Sequence, residues 1–161
     1  MKILYIDENP EEYRSTWLML EEKKRQNDII DYFSKYSLVY MHNFLALEPE
    51  NLDSFNLLIT HFPNPHTKIP YKLCLQKLSD IKLRHLGLDT IIYEGHLPST
   101  IEAKLNRGGV YRVLKNNFSK LQAIVDALVI ERSKKPFPSR VEVQSIKSDA
   151  KISFVKLPQV F

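Results

Sequence analysis

Asp7 and Glu8 stand side by side after the apolar run Ile3-Leu4-Tyr5-Ile6, His61 closes the run Leu57-Leu58-Ile59-Thr60, and Lys115 follows the stretch Val110 to Leu114. Adjacent carboxylates can hold a divalent cation, a lysine can hold phosphoryl oxygens or pair with acids, and a histidine can carry a proton, accept phosphate on nitrogen or bind a metal. Each residue also has a plainer use, and the plainer uses are expected here. Asp7 and Glu8 can serve helix capping and solubility, Lys115 can pair with the two acids across the sheet end, and His61 can be a hydrogen-bonded or pH-sensitive neighbour of acids. His42, His66, His85 and His96 show no metal-ligand spacing. The single cysteine, Cys74, excludes an internal disulfide and a cysteine-cluster zinc site, and reads as a buried, inert thiol. The chain has four glycines, none in the first strand–helix turn, so a loop that cradles a phosphate is missing. Neither a cofactor nor a metal is expected.

The elements that must position these residues follow from periodicity. Ile3 to Ile6 reads as a strand buried on both faces, and Asn9-Pro10-Glu11-Glu12 as a helix start with Asn9 as N-cap and Glu12 reaching back. That helix is expected from about Pro10 to Lys24, with Tyr13, Trp17 and Leu20 along one face; the charged stretch from Glu21 to Asp31 is a longer helix or an enlarged loop. Further strands are read at Ser37 to Met41, Phe55 to Thr60, Thr90 to Tyr93 and Val110 to Leu114. The second and third are joined by a short, weakly helical connection containing Pro49. Tyr71, Cys74, Leu75, Leu78 and Ile81 recur at helical spacing, with Gly87 placed to end that helix. Ser99-Thr100-Ile101-Glu102 matches a capping box before a helix that stops near Gly108-Gly109. Phe118, Leu121, Ile124, Val125 and Leu128 form the apolar face of the last helix. Five βα units of this kind imply an α/β flavodoxin-like three-layer sandwich with a five-stranded parallel sheet. Asp7 and Glu8 then lie at the carboxyl end of the first strand, where open α/β sheets bind ligands.

Charge divides the chain. Residues 132–161 hold seven basic residues against Glu142 and Asp149, which leaves 16 basic and 17 acidic residues in 1–131. A near-neutral domain over 1–131 and a basic C-terminal extension over 132–161 are expected, with the break at Ser133-Lys134-Lys135-Pro136-Phe137-Pro138. Alternation in Arg140 to Gln144 and the β-prone run Ile152 to Leu157, around Lys147-Ser148-Asp149-Ala150, suggest a β-hairpin there. No apolar run approaches the ~20 residues that span a bilayer, and charge interrupts the N-terminus before a signal-peptide core could form. A cytoplasmic protein is expected.

Over residues 2–131 the chain resembles the receiver domain of two-component response regulators. The landmarks are the acidic pair Asp7-Glu8 after the first strand, Pro65 four residues beyond His61, and Lys115 after the fifth strand, with Asn116 in place of the proline usual there. The resemblance implies magnesium at the acidic pair and phosphorylation of an aspartate after the third strand. That acceptor position is His61, and no Asp or Glu lies between Phe55 and Lys72. The switch hydroxyl position is Gly95, between Glu94 and His96. The aromatic three residues before the lysine is replaced by Arg112, with Tyr111 adjacent.

The expectation is therefore a receiver-like signalling module, not an enzyme, that has lost aspartate phosphorylation and acts by protein–protein interaction. Asp7, Glu8, His61, Gly95 and Lys115 form its degenerate pocket. In the family, regulation is read from the face of the fourth helix, fifth strand and fifth helix. Here that face implies Ile101, Lys104, Leu105, Arg107, Tyr111, Arg112, Lys120 and Gln122 as the surface for a protein partner or a second copy. The alternative is a DNA-binding or transcription-regulating protein that uses the basic extension or a dimer surface. Nucleic acid is not favoured, because the extension lacks a recognition helix, zinc ligands and interleaved aromatics.

Overall fold

A computed structural model of the chain describes residues 1–62, 71–95 and 97–134. The strands β1 (Lys2–Ile6), β2 (Ser37–Met41), β3 (Leu57–Thr60), β4 (Asp89–Glu94) and β5 (Tyr111–Leu114) form one sheet in the order β2-β1-β3-β4-β5. Every pairing is parallel: Ile6 lies level with Met41 and Thr60, Thr60 with Ile92, and Glu94 with Leu114. The fold is α/β and flavodoxin-like, as the alternation of patterns implies. The strand order reverses between β1 and β3, so the residues that follow these two strands flank the switch point at which such sheets form a crevice.

Side-chain alternation assigns the two faces of the sheet. Leu4, Ile6, Leu58 and Ile92 join one buried cluster with Cys74, Leu75, Leu78 and Ile81 of α2 (Tyr71–Arg84) and Leu105 of α3 (Ser99–Arg107). Ile3, Tyr5, Leu57, Ile59, Ile91 and Tyr93 point the other way and are equally buried. On that second face Tyr5 stacks on Tyr40 across β1 and β2, and Gln26 of α1 (Thr16–Phe33) accepts a 2.6 Å hydrogen bond from the Tyr40 hydroxyl. Helices thus cover both faces. Each of the buried Leu and Ile side chains of β3 contributes roughly 1.5–3 kcal/mol of transfer free energy. Residues up to Phe118 form one compact unit; the rest of α4 (Phe118–Lys134), with Leu121, Val125 and Leu128 at helical spacing, belongs to another. Residues 135–161, and with them the expected hairpin, lie outside the described residues. No described helix is long and apolar enough to cross a membrane.

The structure corrects several local expectations. Pro10–Glu12 is a single 3₁₀ turn, closed by the Asn9 side chain accepting from the Glu11 N–H, and α1 begins only at Thr16 behind the N-cap Ser15. The helix then runs unbroken through the charged stretch to Phe33. Its buried residues are Gln26, Ile29 and Phe33, whereas Trp17 is 65% exposed and Leu20 is exposed as well. The connection from β2 to β3 is weakly helical as expected, with two 3₁₀ turns, Phe44–Ala46 and Pro49–Leu52, and it buries Phe44, Leu47 and Leu52 in the core. The Ser99 capping box does not form: Ser99 is already helical, Pro98 is the N-cap, and the Glu102 carboxylate turns to Arg112 instead. α2 ends at Arg84, ahead of Gly87, and the left-handed glycine is Gly109, at φ +66, just past the C-cap of α3. Leu105, expected on the partner-binding face, is fully buried in the core, because its position on α3 faces the sheet. Ile101 packs partly against the same cluster.

Candidate functional site

The carboxyl end of β1 delivers Asp7 into the interior, where it is 1% exposed. A carboxylate this deep must be paired and hydrogen-bonded. Its Oδ1 accepts the Glu8 N–H at 2.8 Å and lies 3.5 Å from Lys115 Nζ; its Oδ2 accepts from Arg25 Nη2 at 2.5 Å and from the Tyr5 hydroxyl. Burial raises the pKa of the Asp7 carboxyl, but Lys115, Arg25 and His61 together outweigh it and hold the group below the usual carboxylate range. Arg25 in turn is desolvated, which lowers its pKa, yet Glu22 and Asp7 carry the net change upward and fix the guanidinium as a cation.

Glu8 joins the same cluster. It accepts from the Tyr13 hydroxyl, its backbone carbonyl accepts from Gln26 Nε2 at 2.8 Å, and Lys115 Nζ stands 3.7 Å from its carboxylate. Glu22, one helical turn before Arg25 and Gln26, receives both of them and also lies 3.7 Å from Lys115. The cluster therefore contains three carboxylates, Asp7, Glu8 and Glu22, and two cations, Arg25 and Lys115. Burial lowers the pKa of Lys115, but the acids reverse this and raise it overall. The Lys115 carbonyl is held by the Tyr93 hydroxyl at 2.5 Å.

His61 follows β3 and is buried beside the cluster. Its Nδ1 faces only acceptors: the Phe62 carbonyl at 2.7 Å, Glu8 at 3.7 Å and Glu94 at 3.9 Å. Nδ1 therefore bears the proton and donates it to Phe62. Glu94, at the end of β4, accepts the Phe62 N–H at 3.1 Å and the Gly95 N–H at 2.8 Å, and burial raises its pKa above the ordinary value. Gly95 belongs to the rim through that bond and through its carbonyl, which accepts from Arg112 at 3.3 Å.

The structure thus brings together four of the five expected pocket residues, Asp7, Glu8, His61 and Lys115, and places Gly95 beside them through Glu94. It adds Glu22, Arg25, Tyr5, Tyr13 and Gln26, which the sequence reading missed. Their signal was available: Glu22, Arg25, Gln26, Ile29 and Phe33 follow helical spacing as one stripe, polar at its start and apolar at its end. The residues do not fit the magnesium ion that the receiver resemblance implies. Both Asp7 oxygens accept from protein donors, and two side-chain cations already stand among the acids. Cys74, outside the site, is buried in the core, and burial pushes its thiol up to about 11.

No protein-family model, no curated protein and no solved structure matches this chain.

Proposed function

We propose that the chain is a receiver-like signalling module that acts through protein–protein interaction, with a partner or with a second copy, and without aspartate phosphorylation. The observation that carries this reading is the condition of Asp7. It is the most deeply buried carboxylate at the switch point, and it is sealed by Tyr5, Arg25, Lys115 and the Glu8 amide. The position after β3 offers a buried histidine whose Nδ1 is spent on the Phe62 carbonyl. Phosphoryl transfer to a carboxylate needs an open nucleophile with compensating charge placed around the incoming phosphate, and neither support is free here.

The surface we assign to partners lies on α3 and β5. Lys104 and Arg107 are exposed on α3 and Tyr111 on β5, with Ile101 and Arg112 half-buried between them; Lys120 and Gln122 belong to α4. Arg112 links this surface to the pocket, because it joins Glu102 of α3 to the Gly95 carbonyl. The test is incubation of the purified chain with acetyl phosphate and magnesium, followed by intact-mass measurement before and after acid treatment. The expected result is an unmodified mass. An acid-labile phosphate adduct on this chain would overturn the reading.

A further inference from the structure

Helix α1 crosses the strand ends at Glu22, Arg25 and Gln26: Arg25 meets Asp7 at 2.5 Å, Gln26 donates to the Glu8 carbonyl at 2.8 Å, and Glu22 stands 3.7 Å from Lys115. Thr16 lies six residues before Glu22, and at a rise of about 1.5 Å per residue the helix extends roughly 9 Å past those ends. The sheet does not reach beneath this overhang. Thr16, Trp17, Leu18, Leu20 and Glu21 are accordingly all exposed. Single apolar side chains on a surface need no explanation, but three within one helical turn form a patch, and such patches mark contacts.

The charges around the patch identify what fits it. Glu21 neighbours both Trp17 and Leu18 on the helix surface, four and three positions on. Arg14 lies three positions before Trp17, so a cation and an anion stand at equal distances in sequence on either side of the Trp17-Leu18 pair. Both are exposed, and neither meets an opposite charge among the described residues. A partner of uniform charge would match one flank and oppose the other. A second copy running antiparallel, with its Trp17 against Leu18 of the first, sets Arg14 of each copy against Glu21 of the other, which is the reciprocal pairing of a two-fold contact. The outer charges follow the same order in sequence, Glu11-Glu12 before the patch and Lys23-Lys24 after it, although Lys23 already meets Glu11 of its own chain at 2.5 Å.

We propose that the overhanging end of α1 is a self-association surface, on which Trp17 and Leu18 of two copies pack antiparallel about a two-fold axis and Arg14 of each pairs with Glu21 of the other. So few apolar side chains bury well under the roughly 1,200 Å² of a stable interface, which makes the contact transient: dimers at high concentration, monomers when dilute. The surface is separate from that of α3 and β5, and the inference stands whether or not the signalling reading holds.

Sedimentation velocity of the full chain at low ionic strength, from about 10 μM to about 1 mM and with circular dichroism as the check on folding, reads the association. Wild type is expected to pass from monomer to dimer over that range. Trp17→Ser and Leu18→Ser, both at exposed positions, are expected to weaken the dimer roughly tenfold or more. Arg14→Glu and Glu21→Arg each weaken it about tenfold, because each sets like charges against one another on both sides of the axis. An equimolar mixture of these two variants restores association to the wild-type level: one copy then carries acids at both positions and the other bases, so both contacts are paired again. A wild-type chain that stays monomeric throughout overturns the proposal, as does a dimer indifferent to Trp17→Ser and Leu18→Ser. A mixture that associates no better than either charge variant alone also overturns it. Loss of the dimer with Tyr111→Glu but with neither serine variant puts self-association on α3 and β5, which sinks this inference and leaves the signalling reading in place.

Discussion

Asp7 is the residue on which the buried charge of the molecule converges, and its pH dependence follows from that. Burial alone would raise its pKa, but Lys115, Arg25 and His61 leave it lowered. A lowered folded-state value means that its stabilising contribution is complete above the unfolded value of about 3.9 and is lost as pH falls through the folded one. Glu94 has the opposite sign: with its pKa raised, chiefly by burial, its contribution weakens as pH rises above the ordinary Glu range. Asp7→Asn is expected to cost roughly 1.5–3 kcal/mol at neutral pH, because the Tyr5 hydroxyl, Arg25 and Lys115 lose the buried carboxylate they share, while Glu22 and Glu8 remain to pair the two cations. The same substitution makes the acid limb of the stability curve shallower. Urea unfolding of both proteins across the acid range checks the two effects together; an unchanged acid limb would mean that another carboxylate governs it.

Helix α1 shows how far elements could be read and where the reading stopped. Its N-terminal half carries Trp17, Leu18 and Leu20, the conspicuous large apolar residues, yet all three are exposed. The helix is anchored instead by Gln26, Ile29 and Phe33, in and just beyond the charged stretch that the pattern left open between a longer helix and an enlarged loop. Glu21, Lys24, Asp28 and Asp31 are exposed, but Glu22 and Arg25 turn inward to partners that lie a long way off in sequence: Arg25 meets Asp7 and Glu22 approaches Lys115. Local periodicity carries no information about such partners, and the same limit applies to Glu102, which served Arg112 and not the Ser99 cap. The central strands β1, β3 and β4 were legible because burial on both faces leaves an unbroken apolar run, and the partly exposed edge strand β2 was found at its observed bounds, Ser37–Met41. The turn after α3 was legible too, because Gly108-Gly109 can only punctuate a helix. Gly109 sits in the left-handed region with nothing within 4 Å of where a Cβ would stand. Gly109→Ala is therefore expected to cost about 1–2 kcal/mol through backbone strain alone, with no repacking around it. A thermal melt and an unchanged circular dichroism spectrum would confirm this; a loss of helix content would show that the glycine does more than turn the chain.

For the whole molecule, topology is what assembles the candidate site. The reversal of strand order between β1 and β3 brings Asp7, Glu8 and His61 to one crevice, and the parallel register of β4 and β5 adds Glu94 and Lys115 to it. Residues separated by more than a hundred positions meet because five strands end at the same side. That convergence was visible in the order of the patterns, whereas the closing of the crevice by Arg25 required the packing of α1 to be seen. Trp17, the only tryptophan, stands 65% exposed on the first turn of that helix. An indole already in water has little further to travel when the chain unfolds. Its emission maximum is expected to lie near that of free tryptophan in the native state and to shift little through the transition, while circular dichroism records the full loss of helix and sheet. Whatever settles on that end of α1, however, would take the indole out of water and announce itself as a blue shift.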